Sequence, residues 1–516
     1  MTQQLQAYAV TAPGFYGLNT QDSSLDLASG YALVANNCVI DQYGRVGSRK
    51  GWSAINSATN SDLSTHDIQM ITELITSDGT SYVILAGNNK LYKLSGGTIT
   101  TLTYGGGGTA PTITANNWQA ASLNGYLVLY QSGHDPLLFQ PSVSTTTYRR
   151  ISEASGYSGT VQQSNCVISA YGRTWSAATS SDKVTIQFSD LLSPHKFSGG
   201  TSGTLDTTSV WPKGGDNIVA LGAHNGFLYI FGTNNILIYQ GATSPSTMTL
   251  QDVVTGIGCY ARDTVQYTGT DLIFLSSTGV RSIARTIQEK SQPLNDLSKN
   301  VRNDLIAGIR SEVAANIKSV YSPLDGFYAL TLPTIKSVYC FDTKAALQDG
   351  SLRATIWTSI EPKSFYKKAD NTILIGKEGY IGQYTGYTDN GAAYYFQYFT
   401  NHNDLGTPNL TTILKKLKAV VIGGNAQAII MKWGYDFTTQ YYSAVAQVPE
   451  QGNLAEYGVT EYNTTGEYTG GIALQTLTTY PTGSGKIVQV GFEADIQGSS
   501  LSIQKIEIHA KQGKLA

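Results

Sequence analysis

Seven times between residues 81 and 387 the chain repeats one pattern: a short apolar-aromatic run, a polar turn, and a second such run. The copies are SYVILAGNNKLYKLSGG from Ser81, GYLVLYQSGHDPLLFQP from Gly125, GFLYIFGTNNILIYQG from Gly226, TDLIFLSSTGVRSIART from Thr270, GFYALTLPTIKSVYCFDT from Gly326 and NTILIGKEGYIGQYTGY from Asn371, with a weaker copy, GRTWSAATSSDKVTIQFS, from Gly172. Each reads as two strands joined by a turn of Gly, Asn, Asp, Ser or Pro. The starts are 44, 47, 54, 44, 56 and 45 residues apart. A period near 45 around a central hairpin is the signature of a propeller blade of about four strands. Seven hairpins predict an all-β propeller of six or seven blades; the alternative is an irregular all-β stack with accidental spacing. Leu127 to Tyr130, Leu228 to Phe231 and Leu272 to Leu275 are nearly continuous apolar runs, as expected of strands covered on both faces.

Two regions break the rhythm. From Gln292 to Ala314, Leu297, Val301, Leu305, Ile309 and Val313 recur every four residues, which predicts a helix capped by Asn295 or Asp296. After about Tyr387 the pattern changes to longer alternating segments, among them Val488, Val490 and Phe492, then Leu501, Ile503, Ile506 and Ile508. The expected organisation is therefore a strand-and-turn segment over 1–55 leading into the first blade, a propeller over 56–387 with a helical insertion near 295–314, and a separate sandwich-like β domain over 388–516 with a long loop near 449–471.

Composition narrows the function. Only 14% of residues are charged, the formal net charge is -2, and the chain holds 33 Tyr and 54 Gly. Such a chain has no broad basic field to grip nucleic acid, and its Tyr-rich, charge-poor make-up suits β structure and protein–protein surfaces. Cys38, Cys166, Cys259 and Cys340 form no CxxC pair, so free buried thiols in a reducing cytoplasm are expected. The opening MTQQLQAYAVTAPG lacks the charged and apolar regions of a signal peptide. No run of 18 apolar residues is present to span a membrane as a helix.

Catalytic signatures are thin. No two of the six His lie within four residues of each other, and GxSxG, HExxH and Walker-type motifs are absent. The Gly105–Gly108 run precedes no helix. SPLDGFY at Ser322 and TSDGTSY at Thr76 only partly echo the repeated boxes of sialidases. Paired carboxylates would converge in space and leave no local trace. No enzymatic activity, cofactor or metal is expected. Lys367 with Lys368, and Lys415, Lys416 and Lys418, read as solvated faces or as contacts to an acidic partner or passing DNA.

The stretch GLNTQDSSLDLASGYALVANNCVIDQYGRVGSRKGW, ending at Trp52, resembles the opening of tail nozzle proteins of short-tailed (podoviral) phages, the tubular tail protein B or tail stabilisation hub class. It shows a Gly-Leu-Asn-Thr segment, an Ala-Leu-x-x-x-Asn strand and a Gly-Arg-x-x-x-Arg-x-Gly turn. The C-terminal GKIVQVGFEADIQGSSLSIQKIEIHAKQGKL is similar to the closing strands of that family. The resemblance implies a virion structural protein that forms a homo-hexameric ring below the portal and adaptor (head-to-tail) rings. It implies a ring that extends the DNA channel, retains the genome, carries tail fibres or spikes, and lets double-stranded DNA pass. Low charge fits such a channel, because each strong phosphate contact would add affinity that retards transit. Ring subunits also need head-to-tail contacts that close.

Two rival readings remain. One is a glycan-binding or glycan-cleaving propeller acting as a receptor-binding tail protein, with Trp118, Trp175, Trp211 and Trp357 either lining a groove or filling blade cores. The other is a cellular scaffold propeller, disfavoured by the lack of any Gly-His…Trp-Asp repeat. Within the opening stretch, Arg45, Arg49, Lys50 and Trp52 are the candidate assembly residues. Gly47 and Gly51 read as backbone punctuation leading Trp52 into the propeller. The three cations are either interdomain anchors or contacts to the ring above.

Overall fold

Three of the repeat copies open on the second residue of a tight turn. Asn124-Gly125, Tyr171-Gly172 and Asn225-Gly226 each place two consecutive residues at positive φ, the backbone of a type I′ hairpin turn. The turn fixes the register on either side: Leu123 faces Tyr126, Ala170 faces Arg173, and His224 faces Phe227. The repeated hairpin is thus the second and third strands of a blade, and the turn before it delivers the first.

A computed structural model describes residues 5–57, 59–113, 117–288, 296–406, 410–449 and 474–515. Within them seven blades follow in order, each holding one of the seven hairpins. Blade one runs through Met70–Ile75, Ser81–Gly87, Lys90–Ser95 and Thr98–Thr101. Blade two runs from Trp118–Leu123 to Thr147–Arg150 and gains Thr103–Tyr104 at its edge. Blade three spans Ser164–Ala170 to Gly203–Asp206, and blade four Ile218–His224 to Thr249–Thr255. Blade five has three strands among the described residues, Gln266–Tyr267, Leu272–Ser276 and Gly279–Ser282. Blade six spans Lys318–Ser322 to Arg353–Trp357. Blade seven consists of Ser364–Lys367, Ile373–Gly376 and Ile381–Tyr384, with Trp52–Ala54 as its fourth strand.

The ring closes in two ways. The first strand of each blade touches that of the next, except that Ile218–His224 of blade four touches the turn Arg262–Thr264 ahead of blade five, and Ser364–Lys367 of blade seven reaches Met70–Ile75 of blade one. The outer strand of blade seven comes from before blade one, with Trp52 facing Tyr384 and Ala54 facing Gly382. An early and a late segment therefore share one sheet.

Alternation explains the apolar runs. In blade two, Leu127 and Leu129 pack with Met70, Leu74 and Ile84 of blade one, whereas Val128 and Tyr130 face Val167 of blade three. Successive side chains of a strand point to opposite faces, and here both faces are covered. The same holds at four further joints: blades three and four meet through Trp175 and Leu228, four and five through Phe231 and Phe274, six and seven through Phe327 and Ile375, seven and one through Leu374 and Leu85.

The joint between blades five and six is different. It holds the helix Arg302–Arg310, whose Leu305 and Ile309 are buried with Val301 ahead of it, and its core runs without a break into a second module. The helix is shorter than its spacing predicts. Leu297 and Val301 lie in turns before it, and Val313 is 63% exposed beyond it. Glu312 accepts hydrogen bonds from the Thr334 backbone and hydroxyl, which draws the chain off the helix axis. Asp296 does not cap the helix; it binds Arg302 and Ser298. Asn295, the other expected cap, lies outside the described residues. A second short helix, Ile283–Gln288, was not foreshadowed by the spacing.

The second module is a two-sheet sandwich, but it is not a separate domain beginning at 388. One sheet joins Gln475–Thr479, Leu410–Gly423, Leu501–Leu515, Val46–Ser48 and Cys38–Ile40, and Gln6–Thr11 also pairs with Leu501–Leu515. The other continues blade six: Arg353–Trp357 meets Tyr31–Asn36, which pairs with Tyr394–Thr400, then Val488–Ile496, Ala428–Tyr435 and Tyr442–Gln447. Most of the 1–55 segment is therefore sandwich rather than leader, because its apolar residues Ala32, Ala35, Cys38, Ile40 and Val46 complete the sandwich core. Val488–Ile496 and Leu501–Leu515 lie in opposite sheets and face one another across that core. The apolar alternation in the latter slips between Ile503 and Ile506 at a bulge: Val420 pairs with Lys505 and Val421 with Ile503. The expected long loop lies, from residue 450 on, outside the described residues.

Candidate functional site at the propeller–sandwich junction

The hairpin Cys38–Ile40 and Val46–Ser48 projects the four candidate residues into the junction of the two modules. Its turn holds Gly44 at φ 72°. Asp41 supports that turn by accepting from the Tyr43 and Arg45 backbone amides. Arg45 pairs with Asp41, and its guanidinium lies 4.4 Å from the centre of the Tyr43 ring. It stabilises its own turn.

Arg49 is fully buried. Its guanidinium grips Asp389 with two hydrogen bonds, Nη1 to Oδ1 at 2.8 Å and Nη2 to Oδ2 at 2.7 Å. Nε donates to Asn37 Oδ1 at 2.9 Å, Nη2 to Ser359 Oγ at 2.8 Å and Nη1 to the Lys50 carbonyl. The cation lies 4.0 Å from the centre of the Tyr394 ring, and the Tyr394 hydroxyl donates to the Arg49 carbonyl. The partners come from the N-terminal hairpin, the segment after blade six, the segment after blade seven and the sandwich. One planar, five-donor group thus ties four segments in a fixed geometry that a lysine could not reproduce. Desolvation offsets much of the Coulombic gain of such a pair, so it confers specificity of arrangement more than net stability.

Lys50 points the other way and donates to Asp325 Oδ1 at 2.7 Å, in the turn between the first two strands of blade six. Gly51 follows because nothing larger fits: a Cβ there would lie 1.9 Å from the Thr388 carbonyl oxygen. Trp52 then enters blade seven. It is buried against Gly382, with Lys377 Nζ 4.8 Å from the ring centre. Lys50 and Arg49 reach across the junction, Arg45 stays within its turn, and Trp52 closes the ring.

Beneath the Asp41–Arg45 turn lies a cavity of about 380 Å³, bounded by this hairpin, blade six, Tyr384 and Tyr387, and Ile422, Ser500 and Ser502 of the sandwich. Sequence reasoning identified one side of this junction only. Asn37, Asp325, Asp389 and Tyr394 were missed. Asp389 lies 340 residues from Arg49, and no local pattern marks it.

A second buried cluster was also missed. Near the propeller axis Asp263 pairs with Arg262 and Lys318, and Arg262 donates to the Trp118 carbonyl and to Asn165. It links blades two, three and six to the turn before blade five. Burial alone would raise the Asp263 carboxyl, but the two cations overcome that and hold it well below its usual range. The adjoining axial cavity is only about 220 Å³.

Trp118, Trp175, Trp211 and Trp357 are all buried, so none lines a surface groove. Lys418 pairs with Glu507 and Lys368 with Asp370. All four thiols are free and buried, and burial pushes those of Cys166 and Cys259 up to about 12, far from the reactive thiolate range. Among the described residues no helix is long and apolar enough to cross a membrane.

These features define an all-β protein, a seven-bladed propeller whose sixth blade continues into a sandwich. No protein-family model and no curated protein matches the chain. It has partial likeness to the PorZ component of the type-IX secretion system of Porphyromonas gingivalis, at 12% identity and TM-score 0.37 over 64% of this chain and 37% of that one. The extracellular domain of a one-component system from B. thetaiotaomicron matches at 10% identity and TM-score 0.39, over 78% and 46%. The WD40 propeller domain of Doa1 matches at 12% identity and TM-score 0.36, over 64% and 96%. The chain thus spans less than half of the first two proteins. These likenesses are of fold.

Proposed function

We propose that this chain is a structural subunit of a short-tailed phage tail, one of six copies in a nozzle ring. That ring extends the DNA ejection channel, retains the genome, meets the adaptor ring and anchors fibres or neighbouring tail proteins. The observation that carries the reading is where the two family-like termini lie. Val46 and Gly47 of the N-terminal stretch pair with Ile503 and Ser502 of the C-terminal one, and Trp52 closes the propeller. The segments that resemble the nozzle family are thus the ones that weld the modules together. A rigid two-module subunit suits a ring that must withstand internal pressure. The duplex then passes between copies, since the propeller axis of each subunit is occupied by buried side chains.

Sedimentation of the purified chain with and without its adaptor ring tests this reading. A discrete six-copy species, alone or on the adaptor, is expected; a chain that stays monomeric in both cases contradicts it. The glycan reading is favoured by no specific observation and would need a groove built without these four tryptophans. Reproducible binding on a glycan array would revive it.

A further inference from the structure

Charge is sparse in this chain, yet one face collects it. The sandwich sheet that includes Gln6–Thr11, Leu410–Gly423, Gln475–Thr479 and Leu501–Leu515 turns Leu417, Ala419, Ile506 and Ile508 into the core. Successive side chains of a strand point to opposite faces. The register therefore sets Lys416 opposite His509, Lys418 opposite Glu507 and Lys505 opposite Val420 on the outer face, and Lys511, opposite Ile413, continues the row. Lys415 sits in the bulge between Leu414 and Lys416. Lys415 and Lys511 are exposed. The four strands contain a single acid, Glu507. Its carboxylate meets Lys505 at 2.5 Å, His509 at 3.3 Å and Lys418 at 3.5 Å. Lys415, Lys416 and Lys511 have no carboxylate partner among the described residues. The flanking strands add only small side chains to this face: Ala7, Ala9 and Thr11 beside His509, Glu507 and Lys505, and Thr478 and Thr476 beside Lys418 and Val420.

The cations of this face are lysines, with no arginine among them. Lysine is a flexible point charge, whereas arginine holds an anion in a fixed fork. Such a row attracts a polyanion without fixing its register. Lysines two residues apart on one strand, as Lys416 and Lys418 are, stand about 6.8 Å apart, the rise of two phosphates along one strand of a duplex. The apolar residues of the face, Ile413 and Val420, are half-buried, and among the described residues its outer positions carry none of the aromatic anchors that seat a protein in a bilayer interface. We infer that this face is a contact surface for the phosphate backbone of double-stranded nucleic acid, sequence-neutral and released by salt. A chain without a broad basic field thus carries a local one. The inference rests on the proposed tail function only for which duplex passes; within that reading, this is the face turned to the DNA path.

Fluorescence anisotropy of a short labelled duplex of mixed sequence, titrated with the full chain over a series of salt concentrations, tests it. Binding is expected at low salt, with the logarithm of the association constant falling against that of salt at a slope of about −2.7, one phosphate for each unpaired lysine. The combined variant Lys415→Gln, Lys416→Gln and Lys511→Gln should lose saturable binding. A charge-matched control, Lys90→Gln, Lys299→Gln and Lys336→Gln, removes lysines that pair with Asp62, Asp349 and Glu361 and should bind as the parent does. Glu507→Gln frees Lys505 and Lys418 and should steepen the slope to about −4.5. The inference fails if the parent does not bind the duplex at low salt, if the folded combined variant binds as the parent does, or if the control loses as much as that variant. Tighter binding to polyglutamate, or to phosphatidylserine vesicles, than to the duplex at equal charge assigns the face to an acidic protein or a membrane and also overturns it. A chain that binds the duplex but never forms a ring keeps this inference and removes the ring; a ring whose chains ignore the duplex does the reverse.

Discussion

The propeller ring is sealed chiefly by apolar packing, whereas the junction beside it adds buried charge to an apolar core that both modules share. Six of the seven blade joints are sealed by apolar side chains that alternate between the two faces of each strand, such as Leu127 and Leu129 on one side and Val128 and Tyr130 on the other. The joint between blades five and six opens into the sandwich, and nearby the modules are tied by charge, with Arg49 on Asp389 and Lys50 on Asp325. Apolar joints are non-directional and tolerate small displacements. A bidentate buried ion pair does not, because either ion left alone is costly. The ring is therefore stabilised by area, and the angle between the modules is set by geometry.

The largest expected effect falls on the ring. Phe231→Ala, at the joint of blades four and five, should cost about 4 kcal/mol and lower the midpoint of thermal or denaturant unfolding for the whole chain. Arg49→Ala should cost about 3 kcal/mol by leaving the nearly buried Asp389 carboxylate without its cation. Hydrogen exchange distinguishes the two: the loss should appear in 31–40 and 389–400 while blades two to four stay protected. Equal loss of protection throughout would erase the distinction between ring and junction. In the ring reading, Arg49→Ala also impairs assembly before any contact with DNA, and normal infectious particles carrying it would remove its anchoring role.

Acid sharpens the comparison further. The folded carboxyl of Asp263 is depressed, so its contribution is fully present above the ordinary value of 3.8 and is lost as pH falls below it. Stability should hold from neutral pH to about 4 and then decline. Asp263→Asn should be less stable at neutral pH, since Lys318 and Arg262 lose their counter-charge, and should show a shallower acid limb in pH-dependent unfolding. The smallest effect belongs to the exposed Lys90–Asp62 pair: Lys90→Ala should change stability by no more than about 0.5 kcal/mol.

The contrast also sets what the sequence could disclose. Most blades were legible because two-faced burial leaves a continuous apolar run and tight turns leave Asn-Gly before Tyr126 and Phe227, both local signals; the third, whose turn is Tyr171-Gly172, gave only a weak copy and left the count at six or seven. Trp52 was legible as an entry to the propeller, but it was expected to lead into the first blade and instead supplies the outer strand of the last. The sandwich was only half legible: its C-terminal strands alternate, but Gln6–Thr11 and Tyr31–Asn36 join them from the far end of the chain. The charged junction was legible on one side, since Arg45, Arg49 and Lys50 stand out in a charge-poor chain. Their partners Asp325 and Asp389 are single acids in turns, identified by nothing but the fold. The Arg262–Asp263–Lys318 cluster left no pattern either.

Imaging of phage tails that carry this chain tests the central reading most directly. The account predicts six copies in a ring at the tail, each with its propeller axis closed and the DNA path running between subunits. A tail without such a ring, or particles from which the chain is absent, would contradict it.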